Sequence, residues 1–98
     1  MIPLRTQYTD TIIPILKRYN VPKAAFFGSF VRGDYVLGKS DIDILVLPPK
    51  GMSLLGFIAL EQDIEDSLNV DVDLVSYNGI SKYLKESILS NEQIFYEA

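Results

Sequence analysis

Two stretches of the chain repeat one pattern, Asp41-Ile42-Asp43-Ile44-Leu45-Val46-Leu47 and Asp71-Val72-Asp73-Leu74-Val75, and each reads as a strand that opens on a pair of aspartates. Between them Leu54, Phe57, Ile58, Leu60, Ile64 and Leu68 recur at helical spacing, with Glu61, Asp63, Glu65 and Asp66 on the other faces as a solvated surface. Two neighbouring strands joined through a helix run parallel, and such crossovers are right-handed. Both aspartate pairs therefore come to the same end of one sheet.

Side chains two apart on a strand share a face, so Asp41 and Asp43 point one way with Leu45 and Leu47, while Ile42, Ile44 and Val46 point the other. A strand apolar on both sides is central, and its carboxylates sit about 6 to 7 Å apart at a half-buried end. They repel each other there unless they are hydrogen-bonded, protonated or neutralised. A hard divalent cation with oxygen ligands neutralises them directly. Asp73 is the candidate third carboxylate on that face, and Asp71, nearer the start of its strand, is expected in solvent.

Ala24 to Phe27 is a short apolar run closed by Gly28, and it reads as another buried strand, with Phe26 and Phe27 in the core. If it lies antiparallel to 41–47, Gly28-Ser29 arrives at the aspartates. Ser29 is expected to cap a short helical turn over Phe30 to Arg32, ended by Gly33-Asp34. Such a turn offers backbone N–H groups to phosphate oxygens. Carboxylates alone would repel a triphosphate. A pair of metal ions roughly 3.5 to 4 Å apart would bridge the two and serve an in-line displacement, with a third carboxylate at the incoming hydroxyl.

The remaining elements complete an α/β (α+β) plan. Leu4 to Tyr19 follows helical spacing, with Lys17-Arg18 at its end; Pro14 either kinks this helix or makes it start late, capped by Thr9 or Asp10. Asp34 to Ser40 is a loop, and Pro48-Pro49 with Gly51 stops the second strand. A helix over 53–68 is closed by Asn69. A strand follows over 70–76, then an Asn78-Gly79 turn, a helix over Ile80 to Ser90 and a short edge strand over Ile94 to Tyr96. The order α-β-α-β-α-β-α gives a small mixed sheet flanked by helices, one domain over residues 1–98.

Composition narrows the chemistry further. With no cysteine and no histidine there is no thiolate or zinc site and no imidazole base, so reactivity falls to Asp, Glu, Lys, Arg and Tyr. A net charge of −4 argues against direct nucleic-acid binding. No apolar run approaches the roughly 18 residues of a membrane span, and the start carries no leader pattern, so a soluble, cytoplasmic protein is expected. Self-association stays open.

The motifs Gly28-Ser29-Phe30-Val31-Arg32-Gly33, Ser40-Asp41-Ile42-Asp43-Ile44-Leu45-Val46 and Val72-Asp73-Leu74-Val75, in that order and with no extra domain, resemble the minimal nucleotidyltransferases of the DNA polymerase β superfamily. The resemblance spans essentially the whole chain. It implies the polymerase-β-like nucleotidyltransferase fold, with Asp41, Asp43 and Asp73 as catalytic, metal-binding aspartates, and Gly28 and Ser29 as the triphosphate-binding turn. It further implies Mg²⁺, ATP as the donor of AMP, and a HEPN-domain partner carrying the acceptor hydroxyl, the chain being the antitoxin of a HEPN/MNT pair. The family often carries Arg where this chain has Phe30, which leaves Arg32 and Lys39 as the nearby cations for the triphosphate. Arg32 is equally suited to an ion pair with a neighbouring carboxylate, and Lys39 to a solvated loop. Two alternatives accompany this reading: a non-catalytic antitoxin acting by complex formation, and a purely structural α/β domain.

Overall fold

In the computed structural model, which describes residues 3–98, the four expected strands form one mixed sheet. Strand β1 (Lys23–Phe27) pairs antiparallel with β2 (Ile42–Leu47), and β2 pairs parallel with β3 (Val72–Ser76). Strand β4 (Gln93–Glu97) adds antiparallel to β1, giving the order β3-β2-β1-β4. The helices are α1 (Leu4–Arg18), α2 (Ser29–Arg32), α3 (Leu54–Leu68) and α4 (Lys82–Asn91), with a 3₁₀ turn at Tyr77–Gly79 before α4.

The alternation of β2 decides which face becomes the core. Ile42, Ile44 and Val46 are wholly buried with Ala24, Phe26, Val72 and Leu74 beneath α1 and α3, which contribute Tyr8, Ile12, Ile15, Leu16, Leu60 and Ile64. Tyr19 at the end of α1 donates a hydrogen bond to Asp63 of α3. The opposite face carries Phe27, Asp43 and Asp73, and its Leu45 is also fully buried.

Several boundaries differ from expectation for local reasons. Helix α1 starts directly after Pro3, and neither Thr9 nor Asp10 caps it; both lie inside. Pro14 also stays inside the helix, on its exposed side with Asp10 one turn before it, where solvent can reach the carbonyl that lacks a proline donor. Gly28, not Ser29, stands at the N-cap of α2, and no side chain caps that turn. In α3 the stripe that packs is Phe57, Leu60, Ile64 and Leu68, whereas Leu54 and Ile58 face solvent at 75% and 52% exposure. Ser53 caps this helix through Gly56 N–H, and Asn69 ends it in the left-handed region.

The acidic run of α3 is not merely a solvated face. The β3 amides of Val72 and Leu74 donate to Glu65 Oε2 and Glu61 Oε2, at 3.3 and 3.1 Å. Strand β3 is the edge of the sheet, and unpaired edge amides are a template for pairing with another chain. Two α3 carboxylates occupy them. Replacing both, as Glu61→Ala with Glu65→Ala, is expected to lower unfolding stability by about 1–3 kcal/mol and to raise self-association, measured by urea denaturation and light scattering.

Candidate active site

The parallel register of β2 and β3 sets Asp43 directly beside Asp73, and the antiparallel register of β1 and β2 sets Phe27 beside Asp43. All three share the face opposite the core. The next residue after Phe27 is Gly28, with φ +68° and ψ −145°, a conformation essentially restricted to glycine. The Asp43 carboxylate lies against it so closely that a Cβ on Gly28 would stand 2.0 Å from Asp43 Oδ2. Glycine is thus required twice, by backbone conformation and by the carboxylate packed on it.

Asp43 is half-buried, and its pKa is pushed up to about 6. Burial is the largest cause, followed by the charges of Asp73 and then Asp41, and a hydrogen bond between the Asp43 and Asp73 carboxyl groups adds to it; Arg32 acts in the opposite direction. Asp73 and Asp41 are exposed, and Asp41 stands one residue ahead of β2. The structure therefore brings Asp43 and Asp73 into contact, while Asp41 acts on Asp43 through its charge. Among the described residues no three His, Cys, Asp or Glu side chains gather as a metal-holding set. The chemistry of the pair still suits a cation, because two carboxylates within hydrogen-bond reach at a half-buried site hold a proton only for want of a counter-charge.

A cleft of about 260 Å³ opens beside the pair, lined by Phe27, Gly28, Arg32, Asp43, Ser87, Ile88 and Asn91. Arg32 reaches it while also pairing with Asp34 at 3.5 Å, both side chains well exposed. Ser29, half-buried, follows Gly28 as the first residue of α2. Lys39 is elsewhere: it lines a separate depression with Ser40, Asn69, Val70 and Asp71. Asp71 is exposed there, as its position on the strand implies. Phe30 turns into the core, its ring centroid 4.7 Å from Phe26, 5.1 Å from Tyr35 and 5.7 Å from Tyr8, which accounts for an apolar residue at that position.

Phe27 is expected in the core, but alternation along β1 sends it to the carboxylate face once Phe26 is buried on the other; that signal is present in the sequence. Ser87, Ile88 and Asn91 had no such signal. Their spacing marks one side of a helix, and only the fold shows that this side meets Asp43.

Residues 10–98 match the family model described as polymerase beta, nucleotidyltransferase. A Methanocaldococcus jannaschii protein, provisionally assigned as a protein adenylyltransferase, is 43% identical over 79 residues, 81% of this chain and 84% of that one. The protein adenylyltransferase MntA of Thermococcus cleftensis is 38% identical over 73 residues, 74% of this chain and 73% of that one. Among solved structures, a toxin–antitoxin complex with AMP-PNP contains a chain that superposes with a TM-score of 0.78 at 26% identity, covering 91% of this chain and 73% of that one.

Gly28→Ala is expected to destabilise the fold by about 1–3 kcal/mol, and adding Asp43→Ala should restore part of the loss, since the collision disappears while the strained φ remains; chemical denaturation of the two variants checks this. Asp43 also gives stability a pH dependence. Its folded pKa lies above its unfolded value, so the protonated form favours folding at low pH and that advantage is lost as pH rises from about 4 to about 6. Asp43→Asn should flatten this fall and gain about 1 kcal/mol at pH 7.5, less than the full shift because the site is partly solvated, as read from melting curves across pH.

Proposed function

The chain belongs to the polymerase β nucleotidyltransferase family, and on that premise we propose that it transfers AMP from ATP to a hydroxyl of a partner protein, as the antitoxin of a HEPN/MNT toxin–antitoxin pair. The observation that carries this reading is the Asp43–Asp73 pair packed against the Gly28 turn, a concentration of negative charge at a backbone suited to phosphate. The acceptor is a protein because the acidic chain does not favour a nucleic acid. Residues 1–98 act as one domain, in the cytoplasm.

In the proposed reaction the acceptor oxygen attacks the α-phosphorus of ATP. A new oxygen–phosphorus bond forms as the bond from the α-phosphorus to its bridging oxygen breaks, and pyrophosphate leaves with the electron pair. Asp73, exposed beside Asp43, takes the proton from the acceptor hydroxyl. Gly28 and Ser29 present backbone N–H groups to the β and γ phosphates, and Arg32 adds a cation at the rim of the cleft. Lys39 belongs to the adjoining loop and stands apart from this contact. Asp43 and Asp73, with Asp41 one residue ahead of β2, are the residues that would hold Mg²⁺. Bound there as a pair, Mg²⁺ ions would supply the charge that lets phosphate oxygens approach carboxylates.

The position of Asp41 outside the carboxylate contact favours one second reading, an antitoxin that works by complex formation alone. Incubation with labelled ATP, Mg²⁺ and the HEPN-domain partner separates the two. Label is expected on the partner, with a loss of at least about 100-fold in Asp43→Asn; a tight complex with no transfer by the unsubstituted chain would sink the enzymatic reading.

A further inference from the structure

The cleft beside Asp43 is lined from two chemically different sides. Gly28, Arg32 and Asp43 form one, charged and built at the strand ends, with the Phe27 ring beside Asp43 in the same wall. The other is made by Ser87, Ile88 and Asn91 from the last turns of α4. A helix C-terminus carries partial negative charge, so this side repels phosphate. It offers instead an aliphatic side chain and two neutral polar groups, and Phe27 adds an aromatic ring to the same cleft. Asn91 Nδ2 donates to the Ser87 carbonyl at 2.8 Å, and this fixes the amide and leaves its Oδ1 as an acceptor; the Ser87 hydroxyl has no hydrogen bond among the described residues.

From this division we infer that α4 supplies the nucleoside half of the site, an inference that rests on the nucleotidyltransferase reading above. Phe27 and Ile88 give apolar surface for a flat base, and Ser87 and Asn91, one helical turn apart on the same side of α4, give hydrogen bonds to the sugar hydroxyls or the polar edge of the base. The triphosphate lies toward Gly28 and Arg32. The cleft is then complete only because the chain after β3 folds back over the carboxylate face.

Calorimetric titration of the full chain with Mg²⁺-ATP and, separately, Mg²⁺-tripolyphosphate distinguishes the two sides. Ile88→Ala with Asn91→Ala is expected to raise the Kd for ATP about tenfold and leave that for tripolyphosphate unchanged. Ser87→Ala, at an exposed helical position that tolerates alanine, should weaken ATP about threefold and carries the test if the double variant melts early. Equal losses for both ligands, or unchanged ATP affinity in the variants, would overturn the inference while leaving the reaction intact. If the unsubstituted chain binds neither ligand, the nucleotidyltransferase reading fails and the inference with it.

Discussion

The contact of the Asp43 carboxylate with both Gly28 and Asp73 is the constraint on which the rest of this structure depends. It requires β1 to be followed at once by a residue without a side chain, β2 to run between an antiparallel and a parallel neighbour, and β3 to begin level with β2. Each requirement is met by a different part of the chain. The result is energetically awkward, since burial and like charge both raise the pKa of Asp43. A fold selected for stability alone would place an apolar or singly hydrogen-bonded residue there; strain of this kind is expected where a ligand relieves it.

Much of this was legible in the chain. The repeated aspartate-led runs on either side of one helical stretch dictate parallel pairing, and the alternation of β2 tells which side chains share a face. What was not legible was the use made of individual side chains. Glu61 and Glu65 look like solvated helix positions because helical periodicity says only that they leave the core stripe; that they meet the edge amides of β3 depends on where α3 crosses the sheet. Leu54 and Ile58 fit an apolar stripe by spacing, but the stripe that packs runs through Phe57, Leu60, Ile64 and Leu68 and leaves them in solvent. Pro14 is tolerated because it falls on the wet side of α1, a fact set by packing against the sheet.

The two faces of the sheet divide the work. One is a continuous apolar core under α1 and α3, whose burial supplies the main driving force for folding. The other is covered by the segment after β3, where α4 contributes only half-buried or exposed residues. Stability is thus concentrated on the side away from the carboxylates, and the reactive side is free to be polar, open and electrostatically unfavourable without its ligand.

That last property can be measured directly. Carbon-13 NMR of the side-chain carboxyl of Asp43, followed through a pH titration with and without Mg²⁺-ATP, reports the charge state of the pair. The account predicts a midpoint near pH 6 in the free protein and a midpoint below the ordinary aspartate value of about 3.9 when Mg²⁺-ATP is bound. An ordinary midpoint in the free protein, or one that Mg²⁺-ATP leaves unmoved, would contradict it.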